Sequence, residues 1–219
     1  MTATAPTTAT ERALLAEGYT LVAGLDEVGR GAWAGPVSVG VVVHCFDRRP
    51  PKGIRDSKQL TEARREELYP RVARWCTAWA VGHAGPLECD HLGMTAALRL
   101  AARRALAELP AMPDVVLLDG GHDYVTDPDH DAEAAGPPTP VIRTVVRGDM
   151  TCLSIAAASI LAKVTRDRMM RSWAESFPPF DFDRNKGYPS PSHRTALSGF
   201  GLTSIHRRSW SFVDDLVFR

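Results

Sequence analysis

Apolar residues fall along this chain in short dense runs that break abruptly into acids and glycines. Leu21, Val22, Ala23 and Leu25 form the first run, which stops at Asp26-Glu27 and passes into Gly29-Arg30-Gly31. That outline predicts a buried strand ending in two carboxylates and a flexible loop. Residues 36–45 are valine-rich and bounded by Gly35-Pro36 and Arg48-Arg49-Pro50-Pro51, which predicts a second strand. Thr61 suits the N-cap of a helix over 62–69, with Pro70 kinking or ending it. Residues 75–83 alternate as a third strand. The alanine- and arginine-rich 88–109 segment has helical leucine spacing and is closed by Pro110 and Pro113. Residues 115–118 are purely apolar and end in Asp119-Gly120, and 141–146 form a further strand before Arg147-Gly148-Asp149. The last long segment, 151–173, is helical. Its first half is small and apolar nearly all round, so it must pack between other elements. The order of elements predicts an α/β domain with a mixed central sheet, three of whose strands deliver an acid at their ends.

A chain of 219 residues, 44% hydrophobic and 24% charged, has the size of one domain, or of one domain with a small appendage. The expected division is a disordered tail and short helical lead-in over 1–18, a catalytic domain over 19–175, and a helical region over 176–219. In that last region aromatics are interleaved with Arg, Lys and His. No apolar run approaches the roughly 18 residues of a membrane span and no signal pattern opens the chain, so a soluble cytoplasmic protein with no membrane contact is expected. Cys45, Cys76, Cys89 and Cys152 are scattered without a Cys-x-x-Cys pair, which indicates neither zinc nor a disulfide framework. Residues 121–140 carry Asp123, Asp127, Asp129, Asp131 and Glu133 with no Lys or Arg. The Asp127-x-Asp129-x-Asp131 spacing resembles the opening of a calcium loop. Pro128 and the lack of a glycine at the sixth position spoil it, leaving a solvated surface loop.

Charge changes the picture only through its distribution. The net charge is zero, yet nine Lys or Arg face four acids between positions 163 and 208. A basic C-terminal third beside an acidic N-terminal site suits a polyanionic substrate laid across both. Asp26, Glu27, Asp119 and Asp149 share one context, each following an apolar strand beside glycine or another acid. Like charges about 4 Å apart repel by roughly 4 kcal/mol at an effective dielectric near 20, and a divalent cation relieves that repulsion. An all-oxygen donor set without His or Cys favours Mg²⁺ or Mn²⁺ over zinc. Two such ions about 3.5–4 Å apart can serve both sides of a phosphodiester. Paired carboxylates for glycoside hydrolysis are the competing chemistry, and four clustered acids need metal more than they need a sugar. Gly29 and Gly31 let the backbone approach a ligand, and Arg30 suits a phosphate or sugar. Asp167, flanked by Arg166 and Arg168, reads as an ion-pair partner and not as a fifth ligand.

The motifs DEVGRG at 26–31, DSK at 56–58, LLDG at 117–120, RGD at 147–149, SIAAASILAKVTRDR at 154–168, NKGYPSPSHR at 185–194 and HRRSW at 206–210 stand in one order. Together they resemble type 2 ribonuclease H, the bacterial ribonuclease HII family, over about residues 20–212. The resemblance implies a ribonuclease H-like α/β fold with a mixed central sheet flanked by helices and a small C-terminal helical region. It implies an endonuclease that hydrolyses the RNA strand of RNA–DNA hybrids and cuts 5′ of ribonucleotides embedded in duplex DNA, leaving 3′-hydroxyl and 5′-phosphate ends, as ribonucleotide excision repair requires. Carried over position by position, the metal ligands and catalytic acids are Asp26, Glu27, Asp119 and Asp149, holding two Mg²⁺ or Mn²⁺ ions. Gly29, Arg30 and Gly31 sense the 2′-hydroxyl, and Tyr188 stacks on the following deoxyribose. The hydroxyl is the feature that separates RNA from DNA at one site. Lys58, Lys163, Arg166, Lys186, Arg194 and Arg207 are the candidates for phosphate contact, and His193 and His206 are either structural or in touch with substrate. Ala32-Trp33, Gln59 and Trp210 depart from the family's usual residues, and the 121–140 loop is longer than usual. The partners expected are RNA–DNA hybrid and ribonucleotide-containing duplex DNA, acted on by a monomer. The rival readings are a DNA nuclease and a catalytically silent nucleic-acid-binding domain of the same fold.

Overall fold

The computed structural model describes residues 5–44, 46–127, 140–214 and 216. Cys45 and most of the acidic loop, including Asp129, Asp131 and Glu133, lie outside them, as does Pro128. Five strands, β1 (Val22–Val28), β2 (Val37–Val43), β3 (Ala78–Ala84), β4 (Val115–Asp119) and β5 (Val141–Val145), form one sheet in the order β3-β2-β1-β4-β5. The pairs β1–β2 and β2–β3 are antiparallel, whereas β1–β4 and β4–β5 are parallel, so the expected mixed sheet is present. Its central strand is β1, the one that carries Asp26 and Glu27.

Seven helices accompany the sheet among the described residues: α1 (Ala9–Ala16), α2 (Glu62–Trp75), α3 (Pro86–Ala107), α4 (Gly148–Thr151), α5 (Leu153–Ala174), α6 (Phe182–Asn185) and α7 (Pro191–Phe200). Ala23 and Leu25 of β1 pack with Val39, Val41 and the Ala97–Ala105 side of α3, while Val42 faces α2 and α5. The period of two along each strand divides the residues between the two faces. Leu25 and Leu118 are wholly buried, and each such side chain contributes roughly 1.5–3 kcal/mol by leaving water. The helix α5 lies on the sheet itself, because a methyl group at Gly24 would meet the backbone of Ser154 and Ile155, and one at Gly40 would stand 2.7 Å from the Ala158 carbonyl. That close approach is why its first half is alanine and serine.

Two sequence expectations are corrected. Pro70 does not end α2, which runs on through Trp75. Val72 and Trp75 are buried in the following turn, and Trp75 Nε1–H donates to the Arg48 carbonyl at 3.1 Å; that packing offsets the single backbone donor a proline lacks. Residues 5–10 are not a disordered tail. Thr7 N–H donates to the Thr151 carbonyl and Leu153 N–H to the Thr7 carbonyl, both at 3.0 Å. Glu11 is fully buried and accepts from the backbone N–H and the hydroxyl of Ser154, each at 2.8 Å. A carboxylate there satisfies donors that the first turn of α5 leaves free.

The C-terminal segment is helical, as expected. It builds a small core of Phe180, Phe182, Ala196, Leu197 and Phe212 that includes Ala34 and Met170, so it is packed onto the loop after β1 and onto the far end of α5. Among the described residues no helix is long and apolar enough to cross a membrane.

Candidate active site

The parallel register of β1 and β4 pairs Leu25 with Leu118, so Asp26 and Asp119 are the next residues along two adjacent strands. The neighbouring β5 pairs Val145 with Asp119 and then turns at Arg147, whose φ of 57° is left-handed, into α4. That turn brings Asp149 back so that its N–H donates to Asp119 Oδ1 at 3.2 Å. Gly148 fits beneath because a methyl there would press on Ile155 and lie 3.3 Å from Asp119 Oδ1. Three acids from three strand ends therefore converge, with Glu27 beside them on β1.

Asp26 and Asp149 are buried, and the electrostatics show the strain of the grouping. Burial first, and then the charges of Glu27 and Asp119, push the Asp26 carboxyl well above its ordinary value. Burial raises Glu27, opposed by Arg30, whose guanidinium is 3.8 Å from Oε1, and by the Tyr124 hydroxyl, which donates to Oε2 at 3.2 Å. Asp149 is raised by burial and by Asp119. Lys58 sits over the group with its ammonium 3.7 Å from Asp149 Oδ2. Partial burial lowers that ammonium's pKa, but Asp26, Asp56, Asp149 and Asp119 outweigh it and raise it. Among the described residues no three acids, histidines or cysteines are arranged as a ready cage for an ion. The donor chemistry still fits a hard cation: Asp26 lies in the fields of Glu27, Asp119 and Asp149, and Lys58 acts on Asp26, Glu27 and Asp149 alike.

A cleft opens beside the acids, lined by Glu27, Gly29, Arg30, Gly31, Lys58, Lys163 and Tyr188. Gly29 has φ 84° and a methyl there would collide with the Arg166 side chain, so only glycine fits. Its N–H donates to the Tyr188 hydroxyl at 3.1 Å. Gly31 has open space where a side chain would stand. The Tyr188 ring lies between Lys163 and Arg166, whose charged groups are 5.7 and 5.5 Å from its centre.

The structure separates the six basic candidates. Lys58 and Lys163 line the cleft, and Lys163 Nζ also donates to Asp167 Oδ1 at 2.6 Å. Exposed Arg194 lies over Trp33, with its guanidinium carbon 4.6 Å from the ring centre. Arg166, Arg207 and Lys186 are buried and bonded within the protein. Arg166 donates to the carbonyls of Pro36, Lys186 and Ala34 at 2.8, 2.8 and 3.0 Å. Arg207 donates to those of Gly29, Arg30 and Gly35 at 2.7–3.2 Å. Lys186 Nζ donates to the Asp183 carbonyl and is 3.4 Å from Glu62. Arg207 thus holds the glycine loop, Arg166 the Ala34–Pro36 segment that follows it, and Lys186 is tied to Asp183 and Glu62. Asp167 is buried between Lys163 and Arg65, an ion-pair partner as read. His193 and His206 are fully buried.

Sequence reasoning passed over Tyr124, which stands in a segment read as solvated loop. The signal was an aromatic and an aliphatic side chain, Tyr124-Val125, in an otherwise polar stretch, and both are buried. Asp123 folds the chain there by accepting from the N–H groups of Val125 and Thr126 at 2.8 and 3.0 Å.

The family model described as Ribonuclease HII matches residues 23–213. A ribonuclease HII of Streptomyces griseus is 54% identical over 215 residues, covering 96% of this chain and 86% of its own length. Among solved structures, the ribonuclease H2 of Pyrococcus horikoshii superposes with a TM-score of 0.71 at 27% identity, covering 90% of this chain and 96% of its own. The ribonuclease HII of Archaeoglobus fulgidus, solved in complex with PCNA, gives 0.70 at 27% identity, covering 88% and 96%.

Proposed function

The chain belongs to the ribonuclease HII family, and from that membership we propose that it is a metal-dependent endoribonuclease that hydrolyses the RNA strand of RNA–DNA hybrids. We assign it cleavage 5′ of single ribonucleotides in duplex DNA as well, at a two-metal site of Asp26, Glu27, Asp119 and Asp149. The observation that supports the reading is the strand register, which puts Asp26 and Asp119 at neighbouring positions of adjacent strands, while Glu27, next to Asp26, lines the same cleft as Gly29–Gly31. Bound among these carboxylates, Mg²⁺ or Mn²⁺ would supply the Lewis acidity that readies a water for attack and stabilises the leaving oxygen.

The chain's own residues account for the selectivity. Gly29–Gly31 offer backbone groups at close range to a ribose 2′-hydroxyl, and a site built to pair a hydroxyl is left unpaired by a deoxyribose. Tyr188, fixed by the Gly29 N–H, presents its ring to the next sugar. Lys58, Lys163, Arg30 and Arg194 remain to meet the backbone phosphates, whereas Arg166 and Arg207 keep the loop in shape.

The test is cleavage of a labelled DNA duplex carrying one ribonucleotide, beside an RNA–DNA hybrid and an all-DNA duplex, with Mg²⁺, with Mn²⁺ and with chelator. The expected result is a metal-dependent cut of the first two and none of the third. Cutting of the all-DNA duplex would point to a general DNA nuclease, and binding without cutting to a silent domain; either overturns the proposal.

A further inference from the structure

Away from the acids, His193 and His206 face each other with their Nε2 atoms 2.9 Å apart. Both are fully buried, and the rings of Phe180 and Phe182 lie within about 6 Å of each imidazole, with Trp33 also beside His193. The partners at the two ends of this pair fix where every proton sits. The backbone N–H of Thr203, which can only donate, is 3.0 Å from His206 Nδ1. That nitrogen is therefore an acceptor, so a neutral His206 carries its proton on Nε2 and donates it to His193. At the other end the Tyr188 carbonyl, which can only accept, is 2.9 Å from His193 Nδ1. His193 therefore holds its proton on Nδ1 and accepts on Nε2. The two ends independently demand the same direction: Thr203 N–H to His206, His206 to His193, His193 to the Tyr188 carbonyl.

We propose that His193 and His206 are positioning residues that act through Tyr188, a neutral one-way chain of hydrogen bonds that sets the Tyr188 backbone and hence the ring facing the substrate cleft. The proposal rests on the reading that Tyr188 meets the substrate. Charge neutrality is built in. Among the described residues no carboxylate acts on either imidazole; the cations that do are Arg194, next to His193 on α7, and Arg208, two residues beyond His206. The rings packed around them from Phe180, Phe182 and Trp33 carry none. Burial above all keeps both imidazoles below their ordinary pKa: at His193 it outweighs the Tyr188 carbonyl and is helped by Arg194, and at His206 it is helped by His193 and then Arg208, down to about 3. A second proton would sit on His193 Nε2, against the His206 Nε2–H, or on His206 Nδ1, against the Thr203 N–H. The chain also joins the two halves of the loop's support, since Gly187 beside Tyr188 accepts from Trp33 N–H at 2.8 Å and Ala34 bridges to His206.

Two measurements test this. In wild-type protein with ¹⁵N-labelled histidine at pH 7, both imidazoles should be neutral, with His193 protonated on Nδ1 and His206 on Nε2. A charged ring or the opposite tautomer at either site overturns the proposal without any variant having to fold. The second is a cycle of His206→Phe and Tyr188→Ala, read as KM and kcat on a single-ribonucleotide duplex. Acting through Tyr188, the histidine substitution should raise KM on the order of tenfold in wild type and less than about twofold in the Tyr188→Ala background. Equal changes in both backgrounds would make the pair mere core packing. His193→Gln, which can still accept from His206 and donate to Tyr188, should recover most of the KM, and failure to do so would count against the chain. If wild-type protein does not cut the ribonucleotide duplex, the functional reading falls, while the tautomers still decide the chain.

Discussion

Among the described residues no carboxylate pairs with the buried Arg207 guanidinium, and replacing it by methionine separates two opposing energies. Its nitrogens make four hydrogen bonds to the carbonyls of Gly29, Arg30 and Gly35. Bonds from a charged donor contribute about 1.5–3 kcal/mol each. Against them stands burial, which, ahead of every nearby charge, lowers the Arg207 pKa to about 10, a cost of roughly 3 kcal/mol. The hydrogen bonds win, and after partial relaxation of the loop Arg207→Met should lose about 3–5 kcal/mol of unfolding free energy. Urea denaturation followed by circular dichroism measures it. Arg207→Lys should recover little, because one ammonium cannot reach three carbonyls set in a fork. The loop these carbonyls belong to lines the cleft, so the fraction still folded should also show a raised KM. A loss below about 1 kcal/mol in Arg207→Met would refute the idea that the buried charge holds the loop.

Three further outcomes are expected. Asp119→Asn should abolish cleavage in Mg²⁺ and in Mn²⁺ while leaving binding of a ribonucleotide duplex within about threefold, since it removes a carboxylate at the acid cluster and no part of the glycine loop; retained activity would remove Asp119 from the ligand set. Tyr124→Phe deletes only the hydroxyl on Glu27 Oε2 and should weaken Mn²⁺ binding by calorimetry several-fold, on the order of 1 kcal/mol, with little change in melting temperature; unchanged binding would make Tyr124 a core residue only. His44, held by burial and then by Arg12 at a pKa of about 4, binds a proton more readily in the unfolded chain, so its contribution to stability is whole above about pH 6.5 and is lost as pH falls toward 4. The acids whose pKa is raised act in the opposite sense, so the comparison is with His44→Phe, which suits the Phe46 and Trp75 rings beside it and should be relatively more stable by about 2–3 kcal/mol near pH 4; parallel stability curves for the two proteins would sink the assignment.

Much of this protein follows from local pattern. The apolar runs around Leu25, Leu118 and Val145 are strands because they are short, dense and bounded by breakers, and the acids that end them are plain in the sequence. The small residues of 153–162 announced a helix squeezed between layers, and Gly24 and Gly40 are its counterparts in the sheet. The family resemblance then rests on motifs contiguous in the chain. What the sequence did not determine is where charge is used. Lys163, Arg166, Lys186, Arg194 and Arg207 look alike as basic residues of the C-terminal third, yet burial makes carbonyl clamps of two and ties up a third. Glu11 reads as one acid in an amphipathic lead-in, and only contact with Ser154, 143 positions away, makes it a helix cap. Tyr124 reaches Glu27 across 97 positions, and the two histidines share a hydrogen bond only because α7 and the segment after it fold over one core. Periodicity and turn chemistry act between near neighbours, so they write the elements into the sequence. Desolvation and hydrogen-bond pairing depend on which distant groups meet, and that is settled only when the sheet and its helices have closed.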